Sequence, residues 1–479
     1  MNNPFLKQSC YVGGQWIASR SGATFAVTDP ASGALIGTVP DCGAEETQAA
    51  IVAATRALPD WRARTADERS NLMMRLHDRM LESLDALAEL LVYENGKPLA
   101  EAKGEIRYGA SFIRWFAEEG RRVYGETIPA SAANKRIVVT REPIGVCAMI
   151  TPWNFPNAML ARKLAAALAA GCTLVAKPAE ETPLSALAIA ALCEQAGIPA
   201  GVVNVVTAAR PEAVGAVLTG TPVVRKLSFT GSSEVGELLM RQCSSTLKRL
   251  SLELGGSAPL IVFEDADLAK ATEGAMASKY RNCGQTCVAS NRFLVHESIA
   301  DRFAAMVTAR SSQLRSGHGL EDGVTIGPMI SRAARDKVTR LLEDAEGKGA
   351  TVWCGGRPSS ADLFVAPTVL TGVTGQMSLW KEEIFGPVIA IRTFRTEEEA
   401  IALANATPYG LAAYFFTENL SRSWRVSEAL EFGMVGVNTG MMSTAQAPFG
   451  GVKYSGLGRE GSRHGIDEYL NLKYTCVAL

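Results

Sequence analysis

The chain has 479 residues, which is too long for one compact hydrophobic core and predicts two or more domains. Its formal net charge is -1, which excludes the strong basic field that nucleic acid or an anionic membrane would require of a partner. Hydrophobic residues make up 47% and charged residues 20%, as in an ordinary well-packed globular protein.

The ten cysteines run from Cys10 to Cys476 without the spacing of a disulfide framework, so a reducing compartment is expected. The first residues lack a basic segment followed by an apolar run, so no signal peptide is predicted. The apolar stretch 164–171 is far short of the roughly 18 residues that a membrane span needs. We therefore expect a cytoplasmic protein with no membrane partner.

Helical periodicity dominates the first quarter of the chain and predicts helices over 45–58, 65–94 and 98–122. The β-branched run 137–150 then predicts two short strands with a break at Pro143.

From residue 173 onwards, strand and helix patterns alternate. The first series predicts strands at 173–177, 202–206 and 226–230 and helices at 183–197, 211–218 and 231–243. The second series includes 258–263, 292–297, 392–405 and 434–438. Such alternation is typical of βαβ units around a mostly parallel sheet. Two α/β domains are therefore predicted, with their junction near 253–256.

Two segments of the first series could bind a nucleotide. GSSEVG (231–236) follows a strand and opens a helix, the setting of a phosphate-binding turn, although an ordinary turn would look the same. Lys177 and Glu180 follow the strand 173–177, where a carboxylate can accept hydrogen bonds from both ribose hydroxyls. The alternative for Glu180 is an acidic residue that favours the start of a helix.

Asn154 and Glu253 are the polar residues with unusual surroundings. Asn154 lies between aromatic residues and prolines in TPWNFP, so its amide could donate to a developing oxyanion or simply satisfy its own loop. Glu253 lies in the apolar run SLELGG, where burial would raise its pKa and suit a general base. A strand-end glutamate with a backbone partner is the alternative. The two glycines that follow indicate a close approach to the backbone.

Cys283 and Cys287 lie four residues apart in NCGQTCV (282–288). A disulfide half, a metal ligand, a packed thiol and a nucleophile all remain open on this segment alone. The four histidines have no metal-ligand spacing to one another or to a cysteine pair, so no metal is predicted.

Seven segments occur in one order: TPWNFP, KPAE, FTGSSEVG, ELGG, GQTC, EEIFGP and PFGG. Together they resemble the NAD(P)-dependent aldehyde dehydrogenase superfamily over nearly the whole chain, and the tail 448–479 looks most like its succinate-semialdehyde dehydrogenase branch. The resemblance implies an α/β fold with a Rossmann-like NAD-binding domain, a second α/β catalytic domain and a small β oligomerisation arm. The implied limits are 1–122 and 143–253 for the NAD-binding domain, 254–455 for the catalytic domain, and 123–142 and 456–479 for the arm. A homodimer or homotetramer is expected.

The resemblance assigns the chemistry to three residues. Cys287 would be the nucleophile, which adds to the aldehyde as a thiolate. The side-chain amide of Asn154 and the backbone N–H of Cys287 would hold the oxyanion. Glu253 would activate the water that hydrolyses the thioester. Cys283 is then a bystander, with a resolving thiol as the alternative. Some relatives carry a second cysteine two residues after the nucleophile, and here that position is Ala289.

The implied cofactor is NAD(P), with NAD preferred and NADP possible. The expected contacts are Trp153, Lys177, Glu180, Gly231, Ser232, Gly236, Glu383 and Phe385. Lys177 and Glu180 would hold the adenosine ribose, and Ser232 the pyrophosphate. The Glu180 carboxylate favours NAD because it accepts from a 2′-hydroxyl but repels a 2′-phosphate.

The implied substrate is a small semialdehyde acid, held by Arg162, Arg281 and Ser443. Arginine binds carboxylates in bidentate geometry. Succinic semialdehyde is expected first and glutaric semialdehyde second, because the loop 444–446 departs from the pattern of this branch. A broad-specificity aldehyde dehydrogenase is the other alternative. The rival readings are a coenzyme A-acylating dehydrogenase, a cysteine esterase and a non-catalytic scaffold. Glu253 argues against the first, since a coenzyme A-acylating enzyme needs no base. No histidine is placed to pair with Cys287 as an esterase requires. The scaffold is disfavoured because Cys287, Glu253 and Asn154 are all present.

Overall fold

The computed structural model describes residues 3–358 and 362–479. Residues 1–2 and 359–361, which fall inside the two predicted α/β domains, lie outside the described residues. The chain begins with strands β1 (Cys10–Val12), β2 (Gln15–Ile17), β3 (Thr24–Thr28) and β4 (Leu35–Pro40). Helices α1 (Ala44–Ala63), α2 (Ala66–Glu82), α3 (Leu84–Asn95) and α4 (Leu99–Glu119) follow. The single helix predicted over 65–94 is therefore two helices, because the backbone leaves the helical conformation at Ser83.

The first α/β series follows a hairpin made by β5 (Glu126–Ile128) and β6 (Lys135–Pro143). Its elements are β7 (Val146–Ile150), α5 (Pro156–Ala170), β8 (Thr173–Lys177), α6 (Pro183–Gln195), β9 (Val203–Val205), α7 (Glu212–Gly220), β10 (Val224–Thr230), α8 (Ser233–Ser244) and β11 (Arg249–Glu253). The predicted alternation of strands and helices in this region is confirmed, and so is the break after Pro143.

In the described residues from 258 to 437, the second α/β series has seven strands and six helices. These are β12 (Ala258–Val262), α9 (Leu268–Tyr280), β13 (Ser290–His296), α10 (Ala300–Ser311), α11 (Arg332–Gly347), β14 (Thr351–Cys354), β15 (Thr368–Thr371), α12 (Ser378–Lys381), β16 (Val388–Phe394), α13 (Glu397–Asn405), β17 (Ala412–Phe416), α14 (Leu420–Ala429) and β18 (Met434–Val437). The chain ends with β19 (Gly456–Leu457), α15 (Ser462–Asp467) and β20 (Leu470–Ala478).

The first sheet has the strand order β19-β11-β10-β7-β8-β9-β1-β2. The five strands from β11 to β9 are parallel, and the strands at both edges are antiparallel. The chain runs outward from β7 to β8 and β9 on one side, then returns to place β10 on its other side. Such a reversal opens a ligand crevice outside the carboxyl ends of the two central strands, here Ile150 and Thr230.

The second sheet has the order β14-β15-β16-β13-β12-β17-β18, and every pair except β14 with β15 is parallel. The short link 254–257 joins β11 of the first sheet to β12 of the second. The carboxyl edge of the first sheet therefore faces the end of the second sheet where β12 and β13 begin.

A third, three-stranded sheet has the order β20-β6-β5. Strand β20 pairs with β6 from Leu470 opposite Pro143 to Ala478 opposite Lys135, and it is exposed beyond Leu470. The predicted arm range 456–479 also contains β19, which joins the first sheet, and α15, which packs on α4 and α5. The domain limits and the oligomeric role of the arm remain predictions.

Helix α5 is buried along its whole length between α4, α6 and the first sheet. It packs closely on α4, where a Cβ added at Gly109 would lie 2.5 Å from the Asn157 side chain. The charged pair Arg162 and Lys163 thus lies inside the protein, where each charge requires a partner.

Candidate active site

A cavity of about 300 Å³ lies where the carboxyl ends of β7, β10 and β11 meet the loop that precedes β13. Most of the predicted site residues line it: Asn154, Cys287, Trp153, Gly231, Ser232, Glu383, Phe385, Arg162, Arg281 and Ser443. Four others do not, namely Glu253, Lys177, Glu180 and Gly236. The size matches sites for small organic ligands.

The loop that carries Cys287 has an unusual backbone. Asn282, Cys283 and Gly284 all have positive φ angles, of 53°, 57° and 74°. Two consecutive non-glycine residues in this region cost free energy, and such strain persists only where surrounding contacts determine the conformation. The loop must therefore be held from outside.

Asn282 and Gln285 supply those contacts. The backbone N–H of Asn282 donates to Glu101 of α4 at 2.7 Å. The Gln285 side chain accepts from the backbone N–H of Ile330 at 2.9 Å and donates to the Pro328 carbonyl at 3.3 Å. The glutamine of GQTC thus fixes the loop against the segment before α11.

Asn154 faces this loop from the first sheet. Its side-chain Nδ2 donates to the carbonyl of Gln285 at 3.0 Å, and its Oδ1 accepts from the backbone N–H of Phe155 at 3.0 Å. One Nδ2 hydrogen remains for another acceptor. In residues 3–358 and 362–479, no protein acceptor takes the backbone N–H of Cys287. The amide and this N–H are therefore available to an oxyanion beside Cys287.

A buried network holds the backbone of Asn154. Its carbonyl oxygen accepts from Nζ of Lys97 and from Nδ2 of Asn282, each at 2.8 Å. Lys97 also forms a buried ion pair with Glu105, whose carboxylate accepts from the first N–H groups of α5. One network thus connects α4, the start of α5 and the loop that carries Cys287.

The two glycines after Glu253 allow the two sheets to approach. A Cβ added at Gly256 would lie 2.5 Å from the carbonyl oxygen of Cys287, closer than carbon and oxygen can approach. A Cβ at Gly255 would meet the Glu383 carboxylate at 3.0 Å. The predicted close approach at this position is therefore the backbone of the cysteine loop itself.

The thiol of Cys287 is half-buried, and burial raises its pKa to about 12. The positive charges of Arg162 and Arg281 oppose that shift, while the carboxylates of Glu383 and Glu253 add to it. The cavity as it stands favours the neutral thiol, and formation of the nucleophilic thiolate requires a proton acceptor.

Glu253 is suited to accept a proton. Its side chain is buried, and neither carboxyl oxygen has a hydrogen-bond partner within the described part of the chain. Burial and the neighbouring Glu460 raise the pKa of Glu253 well above its usual value. Glu253 does not line the cavity, but it is close enough for its charge to influence the Cys287 thiol.

Arg162 reaches the cavity from α5. Its guanidinium lies over the Phe449 ring, with 4.5 Å from Cζ to the ring centroid, and it forms a buried ion pair with Glu460. Burial opposes its charge, but Glu460 raises the pKa of Arg162. Its Nη1 and Nη2 atoms make no hydrogen bond to any described residue. Arg162 is therefore a buried cation and not a solvated one.

Arg281 and Ser443 line the same cavity from opposite elements. Arg281 follows α9 and lies 5.0 Å from the Phe155 ring centroid, and Ser443 lies in the loop after β18. The cavity thus has two arginines and a hydroxyl for an acidic ligand.

Trp153 and Phe385 meet edge to face at the cavity wall, with ring centroids 5.5 Å apart. Phe385 has a positive φ of 53°, another strained conformation at this site.

Ser232 caps α8 by accepting from the backbone N–H of Val235, so the positive end of this helix opens into the cavity. Glu383 accepts from the N–H of Gly256, and burial raises its pKa to about 7.

Lys177 and Glu180 lie at the carboxyl end of β8, apart from the main cavity. Nζ of Lys177 is 2.9 Å from Glu180 Oε2, and the Glu180 side chain is half-exposed. Gly236 lies in α8, where a Cβ would be 2.4 Å from Leu254. Close helix packing therefore accounts for this glycine, and its predicted contact with a cofactor remains untested.

Sequence reasoning did not single out Lys97, Glu105, Asn282 or Glu460. A signal was available for Glu460, because the apolar helix α5 contains Arg162 and Lys163 and two buried cations require an anion. Lys97 and Glu105 left no comparable signal, because they lie eight residues apart in an ordinary polar segment and the backbone groups that they hold, at Asn154 and at the start of α5, lie elsewhere along the chain. Cys283 is buried against Met329 and does not line the cavity.

Among the residues that the structure describes, no group of three or more His, Cys, Asp or Glu side chains is arranged to hold a metal ion. A search of the same residues finds no helix that combines the length and apolar character of a membrane span.

The chain was compared with known proteins. A model of the aldehyde dehydrogenase family matches residues 16–475. The chain is 55% identical to a 3-sulfolactaldehyde dehydrogenase of Pseudomonas putida, over 98% of this chain and 97% of the relative. It is also 55% identical to succinate-semialdehyde dehydrogenase [NADP(+)] of Escherichia coli, over 99% and 98%. A glutarate-semialdehyde dehydrogenase of Pseudomonas putida is 54% identical over 99% and 98%.

A solved structure of succinate-semialdehyde dehydrogenase from Burkholderia pseudomallei gives a TM-score of 0.98 at 57% identity, with 100% of both chains covered. The family model, the relatives and this structure agree over nearly the full length, and the predicted fold class is confirmed. The chain belongs to the aldehyde dehydrogenase family.

Proposed function

We propose that this aldehyde dehydrogenase oxidises a short aldehyde with a carboxylate at its far end, with succinic semialdehyde as the first candidate. The observation that carries the proposal is the buried Arg162 guanidinium, whose Nη atoms lack hydrogen-bond partners among the described residues, on the cavity that contains Cys287. A substrate carboxylate supplies two acceptors in the geometry that a guanidinium favours. Arg281 and Ser443 add further donors.

Glutaric semialdehyde is the second candidate. The names of the three relatives, for succinate semialdehyde, glutarate semialdehyde and 3-sulfolactaldehyde, all describe an aldehyde with an acid group. They support the acid group and leave its distance from the aldehyde open, and that distance depends on the loop that carries Ser443.

The first half of the reaction uses Cys287 and Asn154. The thiol gives its proton to solvent, and the sulfur adds to the aldehyde carbon while the carbonyl π bond breaks, which forms a thiohemiacetal with an oxyanion. The Asn154 amide and the Cys287 backbone N–H would donate to that oxyanion. Because Lys97 and Asn282 hold the Asn154 backbone, the donors are in position before the charge develops.

The second half uses Glu253. When its carbon gives up a hydride, the thiohemiacetal oxyanion collapses to a thioester on Cys287, and Glu253 takes a proton from the water that attacks it. The water oxygen bonds to the acyl carbon, the carbon–sulfur bond breaks, and the acid leaves while sulfur returns as a thiolate. The raised pKa of Glu253 matches this task, since a stronger base removes the proton more readily.

The residues around the cavity fit a nicotinamide dinucleotide. The N-terminus of α8 at Ser232 would receive the pyrophosphate, and Trp153 and Phe385 would flank the nicotinamide half. A bound NAD(P)+ would supply the acceptor for the hydride that the substrate carbon gives up. The half-exposed Glu180 favours NAD, whereas its contact with Lys177 weakens its repulsion of a 2′-phosphate. The Escherichia coli relative is named for NADP(+).

We also infer a homodimer or homotetramer. The outer edge of β20 has unpaired backbone groups and exposed apolar side chains, including Leu472 and Tyr474. A free edge of this kind is suited to pairing with another copy of the chain. Sedimentation of the wild-type protein against a chain that ends at residue 469 would test this role.

Initial rates at the NADH absorbance band test the substrate. Succinic semialdehyde, glutaric semialdehyde and butanal, which lacks the carboxylate, are each assayed with NAD and with NADP. We expect kcat/KM to be at least tenfold higher for the semialdehydes than for butanal, and higher with NAD. Equal values for acid and neutral aldehydes would contradict the acid-binding role of Arg162. A Glu180→Ala variant should raise kcat/KM with NADP relative to NAD.

A further inference from the structure

Tyr108 presents an unused polar group to the active-site cavity. The residue lies on α4, in the third turn, and lines the cavity together with Arg162 and Cys287. Its hydroxyl oxygen is buried and makes no hydrogen bond to the described residues. Buried tyrosine hydroxyls normally find a partner, and a missing partner costs stability.

The ring of Tyr108 is held in place by apolar neighbours. It meets Phe112 edge to face, with ring centroids 4.9 Å apart and planes at 70°. It also packs on the cluster of Phe155, Ala158 and Met159 at the start of α5. The packed ring therefore has little freedom to turn its hydroxyl towards another acceptor, and the hydroxyl stays without a partner at the cavity wall.

The surroundings keep the hydroxyl neutral. Burial raises the pKa of Tyr108, although the positive charges of Arg162 and Arg281 act in the opposite direction. The phenol therefore keeps its proton throughout the neutral range and can donate it in a hydrogen bond. Tyr108 and Arg162 line the same cavity, so the hydroxyl and the guanidinium can face one ligand.

The free donors on this wall require an acceptor with more than one oxygen. Nη1 and Nη2 of Arg162 and the O–H of Tyr108 all lack partners within the described residues. A carboxylate has two oxygens with about four acceptor positions, enough for the guanidinium and the phenol together. An alkyl end would leave all of these donors buried and unpaired, which is the costly arrangement.

We propose that Tyr108 is a specificity-determining residue, which donates its phenolic O–H to the distal carboxylate of the aldehyde substrate beside the Arg162 guanidinium. This inference rests on the proposed function, because it requires a substrate with an acid end. It adds a fourth element, α4, to the acid-binding residues on α5 and in the loops of Arg281 and Ser443. The residue contributes through substrate binding and takes no part in bond making.

Tyr108→Phe tests the proposal, because it removes the hydroxyl and keeps the ring that packs on Phe112. Tyr124→Phe is the matched control, since Tyr124 is 71% exposed and does not line the cavity. For each protein, kcat and KM are measured with succinic semialdehyde and with butanal at saturating cofactor. Thermal unfolding of all three proteins checks that the fold is retained.

In Tyr108→Phe we expect the ratio of kcat/KM for the acid to that for butanal to fall about tenfold, because a hydrogen bond to a charged group is lost. The fall should appear mainly as a higher KM for the acid. In Tyr124→Phe the ratio should equal that of the wild type.

A retained ratio in Tyr108→Phe, in a wild-type enzyme that prefers the acid, would overturn the role of Tyr108 and leave the proposed function standing. An equal loss on both substrates would also overturn it, since a purely structural defect acts on both. A wild-type enzyme without preference for the acid would refute the proposed function itself, and the role of Tyr108 with it.

Discussion

Arg162 and Glu460 form a buried ion pair that joins α5 to the turn before α15. The same carboxylate also pairs with Lys163, so two adjacent cations share one anion beneath the cavity. Burial works against all three charges, yet the cations hold the pKa of Glu460 below its usual value. One positive charge remains in excess, which suits the proposed binding of an acid and the formation of a thiolate.

Replacing Glu460 by glutamine should destabilise the fold. Glu460→Gln keeps the size of the side chain and leaves Arg162 and Lys163 as buried charges without an anion. Breaking a buried pair in this way costs about 3–5 kcal/mol of unfolding free energy. Urea denaturation measures the change. Glu45→Gln, which breaks an exposed contact with Arg20, is the control and should leave the denaturation midpoint unchanged. Equal midpoints for the two variants would contradict the importance of the buried pair.

The same substitution should shift the pH dependence of the reaction. The negative charge of Glu460 raises the pKa of Glu253, while Arg162 and Lys163 lower it. Without Glu460 the cations act unopposed, so the pKa of Glu253 falls and the carboxylate persists to lower pH. The acid limb of the kcat profile should therefore move to lower pH in Glu460→Gln. An unmoved limb, or a shift to higher pH, would show that Glu253 is not the group that this limb reports.

The thiol of Cys287 should react slowly with alkylating reagents in the absence of ligands. Burial raises its pKa to about 12, so the thiolate fraction should grow about tenfold for each pH unit between pH 7 and pH 10. Arg162→Met should slow the reaction further, because the guanidinium lowers this pKa. Iodoacetamide labelling read by peptide mass spectrometry separates Cys287 from the exposed Cys476. A rate independent of pH in this range would mean that the thiolate is already formed.

Glu253→Gln should separate the two halves of the proposed reaction. The glutamine cannot take a proton from water, so hydrolysis of the thioester slows by about 10²–10⁴-fold. The first half needs only one hydride transfer to NAD+ in each active site. Rapid mixing should therefore show a burst of about one NADH per active site, followed by a slow steady state. Loss of the burst along with the steady state would instead place Glu253 in thiol activation.

Local sequence patterns predicted much of this architecture. The elements that they did not predict depend on contacts with residues far away along the chain. The strand 173–177 and the helix from Pro183 follow from short-range periodicity and a proline at the first helical turn. The four short strands before α1 carry no such pattern and depend on pairing with each other or with β9. Similarly, GQTC identifies Cys287, whereas the loop around it is held by Glu101, which lies 181 residues before Asn282 along the chain.

Lys97 offers a sharper test of how the site is held. Its Nζ donates to the Asn154 carbonyl at 2.8 Å and pairs with Glu105, both away from solvent. Lys97→Met should lower the free energy of unfolding by about 3–5 kcal/mol, because it leaves Glu105 as a buried charge without a cation. It should also lower kcat about tenfold or more, because Asn154 loses an anchor.

The double variant Lys97→Met/Glu105→Gln separates these two effects. Removing both charges should restore part of the unfolding free energy, since a neutral amide replaces the buried carboxylate and the effects of the two changes are coupled. It should not restore kcat, because the hydrogen bond to the Asn154 carbonyl is still missing. Denaturation and steady-state rates on the same samples give both quantities. Recovery of kcat together with stability would mean that Lys97 acts on the fold alone and that Asn154 is positioned without it.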